Sequence, residues 1–225
     1  MQSLNQYKVE LSPTTTYYIP NFITHDEEQE ILKKVYEVPK PKWTYLKNRR
    51  LQDYGGIPHR NGMIVDKIPS WLDVYLDRVS KLNVFNGQRA NHVLINEYLP
   101  GQGIMPHLDG SLFYPTITTI TCGSHGILEF LDDYYGSRIP ICSLLLERYS
   151  LVILQGEMYG KYLHCINEVE EDVITEEVVN LKKCGEIFSV GQKLKRETRV
   201  SLTIRNVPKL AKLDLMNIIM NKTNK

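Results

Sequence analysis

The sequence predicts a mainly β domain with flanking helices (α+β). The expected core is a double-stranded β-helix of the jelly-roll or cupin-like type, with N-terminal helices packed on one of its sheets. Three observations carry this expectation. Two runs of apolar residues at helical spacing fall within roughly the first ninety positions. After Asn91 the texture changes to short β-rich runs separated by turn residues, and helices followed by an all-β remainder suit two packed sheets with helical support. A length of 225 residues with 42% hydrophobic content suits one domain with a sizeable core. The expected division is 1–90 for the N-terminal support, 91–208 for the β core and 209–225 for a C-terminal helix or docked tail.

The elements follow in order. Thr24 precedes His25-Asp26-Glu27 in a capping-box pattern, and Ile31, Leu32, Val35 and Tyr36 recur at helical spacing until Pro39. The next stretch carries Lys40, Lys42, Lys47, Arg49 and Arg50 without an acid, interleaved with Trp43 and Tyr45 and followed by Tyr54. Cations and aromatics on a mobile segment can grip a phosphate backbone and stack bases. An ordinary hairpin with a solvated basic edge has the same composition. Ser70 with Asp73 repeats the capping logic ahead of Trp71, Leu72, Tyr75, Leu76, Val79 and Leu82, which predicts a second helix.

His92 to Tyr98 is expected to form a strand that stops at Pro100-Gly101-Gln102-Gly103. Its period of two sets Asn96 and Tyr98 on one face and Ile95 and Glu97 on the other. Further strands are expected over 117–122, 127–131, 143–146, 151–154 and 162–166. The final one, Thr198 to Arg205, alternates polar and apolar residues. Arg199, Ser201, Thr203 and Arg205 share its polar face, opposite Val200, Leu202 and Ile204. Glu168, Glu170, Glu171, Asp172, Glu176 and Glu177 form an acidic cluster, expected as a solvated loop or helix before that strand. Leu210, Leu213, Ile218 and Ile219 suggest the C-terminal helix or tail.

Chemistry concentrates at His107-Leu108-Asp109 and a distant His164. Two imidazoles and one carboxylate are the ligand set of non-haem Fe(II) oxygenases, which leaves open metal positions for co-substrate and O₂. A closed structural zinc site needs a fourth protein ligand, and none is apparent nearby. Two guanidiniums on one strand face suit a dianionic small acid, because each planar fork can pair with a carboxylate in bidentate fashion. For that strand alone, a wet antiparallel face with two solvated arginines is the plainer account. The remaining histidines have structural readings: His125 at a turn, His92 as a hydrogen-bonded core residue and His59 in a wet loop. Cys122, Cys142, Cys165 and Cys184 lack metal-ligand spacing and read as reduced thiols, and Cys165 would face away from its neighbour His164. No apolar run approaches the roughly 18 residues of a membrane span, so no membrane partner is expected.

Asn96-Glu97-Tyr98-Leu99-Pro100-Gly101 running into His107-Leu108-Asp109, then His164, then Arg199 and Arg205 as an Arg-x₅-Arg pair, resemble the AlkB family of Fe(II)- and 2-oxoglutarate-dependent dioxygenases. The segments Pro39 to Trp43, Leu51 to Gly56, Ala90 to Leu94 and Gly103 to His107 resemble one branch of it, and the likeness spans about residues 17 to 208. It implies that His107, Asp109 and His164 ligate iron. It also implies that Arg199 anchors the distal carboxylate of 2-oxoglutarate, helped by Asn96 and Tyr98. Arg205 would sit near the metal-bound end of that molecule or the substrate. Ser201 would belong to the same pocket, although a relative carries a larger amide there. The basic stretch would form a substrate-covering lid, with Trp43, Lys47, Arg49, Arg50 and Tyr54 as contact residues. The implied reaction couples decarboxylation of 2-oxoglutarate by O₂ to C–H oxidation, most simply N-demethylation of RNA or DNA with release of succinate, CO₂ and formaldehyde. Gly110-Ser111 stands where nucleic-acid repair members carry an acidic residue that reads the damaged base, which bears on the substrate and not on the oxidation. Alternatives are a protein side-chain hydroxylase or demethylase of the same fold and a non-catalytic nucleic-acid-binding module. The likeness and the missing export signal together imply a cytoplasmic and nuclear location.

Overall fold

The structure, a computed structural model, describes residues 4–10, 12–59, 61–134 and 136–211. In chain order it contains β1 (Thr16–Ile19), α1 (His25–Tyr36), β2 (Thr44–Leu46), β3 (Arg49–Tyr54), β4 (Gly56–Ile57), β5 (Ile64–Val65) and α2 (Ser70–Ser80). Next come β6 (His92–Tyr98), β7 (Ile104–His107), β8 (Thr116–Cys122), β9 (Gly126–Tyr134), β10 (Ser137–Leu146) and β11 (Leu151–Gln155). The last are α3 (Glu157–Gly160), β12 (Leu163–Ile166), β13 (Glu171–Val173), β14 (Lys193–Lys195) and β15 (Arg199–Arg205). A seven-stranded antiparallel sheet runs β1-β11-β8-β15-β6-β3-β2, and a four-stranded one runs β10-β9-β12-β7. The jelly-roll expectation is met in these two layers.

Strand alternation decides what each layer faces. On the large sheet, Ile95, Ile120, Ile153, Leu202 and Ile204 point outward and pack against Ile31 and Val35 of α1 and Leu72, Leu76 and Val79 of α2. The opposite face carries the polar residues of β6, β8 and β15, and it turns toward the small sheet. The arginine-bearing face of β15 is therefore interior: Arg199 is 4% and Arg205 7% exposed. The wet-face account of that strand fails because a second sheet covers it.

The capping box of α1 forms as expected, with Thr24 and Glu27 capping each other. At α2 the expected box is absent: Pro69 is the N-cap, no side chain caps it, and Ser70 is already helical. The N-terminal ninety residues give more than helical support, since β1, β2 and β3 all join the large sheet. The basic stretch accordingly forms the β2–β3 hairpin, with β3 zipped to β6. The acidic cluster is not uniformly solvated either. Asp172 is 4% exposed and accepts two bonds from Arg196, at 2.6 and 2.7 Å, in the β13–β14 hairpin. Burial alone would raise its carboxyl; His125 and Arg196 hold it below the ordinary value. Among the residues after Pro208, Lys209 to Ala211 run beside Met63 through backbone bonds. The rest of the expected C-terminal helix or tail lies outside the described residues.

Candidate active site

His107 ends β7, the edge strand of the small sheet, and His164 lies directly across from it on β12. Pro106 is tolerated because an edge strand has one row of unpaired donors. Residue 103 sets the spacing of these two strands. A Cβ on Gly103 would lie 2.1 Å from the carbonyl oxygen of Ile166, so only glycine lets the backbones approach this closely. The imidazole rings of His107 and His164 come to 4.3 Å between centroids. Asp109 follows on the loop after β7, which Tyr159 ties down by donating to the Gly110 carbonyl at 3.0 Å. One donor atom from each of His107, Asp109 and His164 falls within 4.8 Å of the others.

The environment suits a cation. His107 Nδ1 lies 2.8 Å from the Met105 carbonyl, which calls for a proton on Nδ1 and leaves Nε2 with a free lone pair. Burial, and then neighbouring His107, push His164 down to about 4, so its ring is neutral at physiological pH. Asp109 Oδ2 and His164 Nδ1 are buried with no hydrogen-bond partner. Such orphaned acceptors are costly unless something electropositive approaches them. Arg205 Nε stands 3.1 Å from Asp109 Oδ2, yet the pair lacks hydrogen-bond alignment and both atoms remain unsatisfied in that sense.

A cavity of about 260 Å³ opens between the sheets, with His107, Asp109 and His164 on one wall and Asn96, Tyr98, Arg199, Ser201 and Arg205 on the other. The two strands that carry the second wall are in register, Arg199 opposite Tyr98 and Ser201 opposite Asn96. Arg199 donates to Thr121 Oγ1 at 3.0 Å, while its Nε has no partner. Burial pushes both Arg199 and Arg205 below the ordinary arginine value and raises the Tyr98 phenol. Two buried, under-paired guanidiniums facing an electron-rich triad form a receptacle for a small dianion that also reaches a metal.

The expected lid residues separate. Arg49 lines the cavity and donates to Asn96 Oδ1 at 3.1 Å. Lys47 is exposed at the β2–β3 turn. Trp43, Arg50 and Tyr54 do not face the cavity. Arg50 pairs across the sheet with Glu97, whose side chain points to the helix side, and donates to both of its oxygens, at 2.7 and 2.8 Å. Trp43 is 8% exposed in the helix-side core, with the Arg50 guanidinium 4.1 Å from its ring. Tyr54 is buried and donates to Gln52 Oε1. The reason is strand parity: adjacent residues of β3 face opposite ways, so Arg49 and Arg50 cannot share a site. His125 stands 3.2 Å from Asp172, in keeping with its structural reading. Cys165 pairs with Glu129 on the outer face, away from His164. Thr121 was not anticipated at the site, although the alternation of β8 places it on the inner face. His92 was expected to be hydrogen-bonded; it is buried, but neither ring nitrogen has a hydrogen-bond partner.

Comparison with known proteins agrees with this geometry. The family model described as the 2OG-Fe(II) oxygenase superfamily matches residues 38–205. A Danio rerio protein named "Probable RNA/DNA demethylase ALKBH6" is 49% identical over 94% of this chain and 94% of its own length. The chain belongs to the AlkB family of 2OG-Fe(II) oxygenases. A Xenopus tropicalis AlkB relative, named as the tRNA (carboxymethyluridine(34)-5-O)-methyltransferase alkbh8, is 28% identical over 87% of this chain, which spans 32% of that longer protein. Among solved structures, OsALKBH1 superposes with a TM-score of 0.56 at 12% identity over 85% of this chain and 96% of that one. A Burkholderia pseudomallei 2OG-Fe(II) oxygenase gives 0.59 at 11% identity over 92% and 94%. Those two likenesses concern the fold. As an AlkB-family oxygenase the protein is an oxidoreductase that uses Fe(II), 2-oxoglutarate and O₂.

Proposed function

We propose that this protein is an oxidative demethylase of alkylated nucleic acid, RNA or DNA. The observation that carries the reading is the cavity itself, with three convergent donors on one wall and two buried guanidiniums on the other. His107, Asp109 and His164 would hold Fe(II). Arg199 would receive the distal carboxylate of 2-oxoglutarate, with Asn96, Tyr98 and Ser201 shaping the walls beside it and Arg205 near the metal end. Bound iron would supply the chemistry that turns O₂ into the oxidant, with 2-oxoglutarate giving up two electrons: one oxygen atom would enter succinate as CO₂ leaves, and the other would hydroxylate a substrate C–H. The remaining task of the chain is positional. The neutral His164 keeps its lone pair available, the Tyr159 tether holds the Asp109 loop, and the apolar walls from Ile117, Leu128 and Leu154 exclude bulk water. An N-methyl group hydroxylated there would break down to formaldehyde without a general base.

The name of the zebrafish relative supports a nucleic-acid substrate. So does exposed Lys47 beside cavity-lining Arg49, both on the hairpin at the edge of the large sheet. The test is formation of succinate and formaldehyde from short methylated oligonucleotides, with Fe(II) and 2-oxoglutarate, by the wild-type protein and by Asp109→Ala. Equal succinate from the two proteins would sink the oxygenase roles. Succinate without formaldehyde across RNA and DNA substrates would turn the reading toward a protein side chain.

A further inference from the structure

Where β6 begins and β15 ends, a second polar group adjoins the cavity. Asp53 of β3, His92 of β6, Arg205 of β15 and Phe113 of the loop after Asp109 meet there. Register places them together, since His92 pairs with Arg205 and Asp53 pairs with Leu94, next but one to His92 on the same face. His92 is 1% exposed and neither of its ring nitrogens has a hydrogen-bond partner. Its Nε2 stands 3.8 Å from Asp53 Oδ1, and its ring lies 5.5 Å from that of Phe113. The Arg205 guanidinium lies 4.3 Å from the same Phe113 ring. The cluster thus leads from solvent to the metal wall: the Asp53 side chain is 40% exposed, and that of Asp109 8%.

A histidine kept in a core for packing uses at least one nitrogen, because an apolar ring fills the same space without leaving polar atoms unsatisfied. His92 uses neither. Among the described residues the Asp53 carboxylate has one ion-pair contact, His92; Arg205 and Lys42 are further charges near it, and Lys42 directs its hydrogen bond to the backbone carbonyl of Asp53. A small rotation would let Nε2–H of a neutral His92 donate to one carboxylate oxygen, which leaves the other for an incoming group.

We propose that Asp53 is a specificity-determining residue, accepting a hydrogen bond from an N–H of a planar substrate head group lodged beside Phe113, and that His92 is the positioning residue that aims it. The proposal rests on the reading that the substrate is an alkylated base, and it deepens that reading. A carboxylate favours a ring edge bearing an amino group or positive charge and repels one that offers only carbonyl oxygens. N-alkylated amino bases are thereby selected over N-alkylated bases whose edge is made of carbonyls.

The test measures binding of two pentanucleotides to the Mn(II)- and 2-oxoglutarate-loaded protein, one carrying 1-methyladenine and the other 3-methylthymine. Wild type is expected to prefer the first. Asp53→Asn, at a half-exposed position and nearly isosteric, should reduce that preference about tenfold or more. His92→Phe should do the same with no fall in Tm and no change in the KM for 2-oxoglutarate, while His92→Gln, which keeps a donor, should restore part of the preference. Unchanged preference in Asp53→Asn overturns the proposal and leaves the demethylase reading intact. A lowered Tm together with a raised 2-oxoglutarate KM in His92→Phe also overturns it, by showing a structural histidine. Wild type that binds neither oligonucleotide removes the nucleic-acid reading, and this proposal with it.

Discussion

Arg199→Met isolates the co-substrate anchor from the metal. In the structure the guanidinium is 4% exposed, has one hydrogen bond, to Thr121, and leaves Nε unpartnered. A carboxylate about 4 Å away at an effective dielectric near 20 gains roughly 4 kcal/mol. Truncation of one partner in such a buried pair costs about 2 to 5 kcal/mol. The Kd for 2-oxoglutarate should therefore rise from about 30-fold to a few thousand-fold. Arg199→Lys keeps the charge but loses the fork and should fall between the two. Without ligand the ordering reverses. The buried cation lacks a counter-charge, so the methionine variant should melt higher than wild type. Calorimetry on the Mn(II)-loaded protein measures the affinity, and a thermal melt of the ligand-free protein measures the second effect. Arg199→Met binding 2-oxoglutarate within about threefold of wild type would refute the anchoring argument.

Three further outcomes are expected. Trp43→Ala should lose about 3 to 5 kcal/mol of stability in urea unfolding, with little change in oligonucleotide affinity once folded, because the ring lies 8% exposed in the helix-side core. Asp172→Ala should cost about 3 to 5 kcal/mol by stranding buried Arg196, read as a lowered denaturant midpoint with 2-oxoglutarate affinity retained. Burial pushes His92 down to about 4 from an ordinary 6.5. Between those values the unfolded chain binds more protons, so stability should fall as pH drops from about 6.5 to about 4, by up to roughly 3 kcal/mol from this residue. His92→Phe should flatten that part of the stability-against-pH curve, and a curve identical to wild type would contradict the assignment.

Arg199 to Arg205 was legible because its polar and apolar residues alternate without a break, whereas His92 to Tyr98 read as a strand from its apolar run and its faces followed from the period of two. Which face was wet could not be read, because the covering sheet comes from distant segments. β7 escaped notice because it is four residues long and contains Pro106. The hairpin over 44–54 looked like a mobile lid because its composition is basic and aromatic. Parity on β3 would have separated Arg49 from Arg50, but only with the pairing of β3 to β6 in hand. The triad was legible as a set of residue types, while its convergence depends on the pairing of His107 with His164, which no local signal encodes.

Gly103 carries a consequence for how relatives should be surveyed. A substitution there would wedge β7 from β12 while every metal-binding side chain remained in the sequence. Homologues chosen by an intact His-x-Asp…His signature would then include members unable to retain iron. A bare backbone position four residues upstream of the first histidine is therefore worth reading together with the signature.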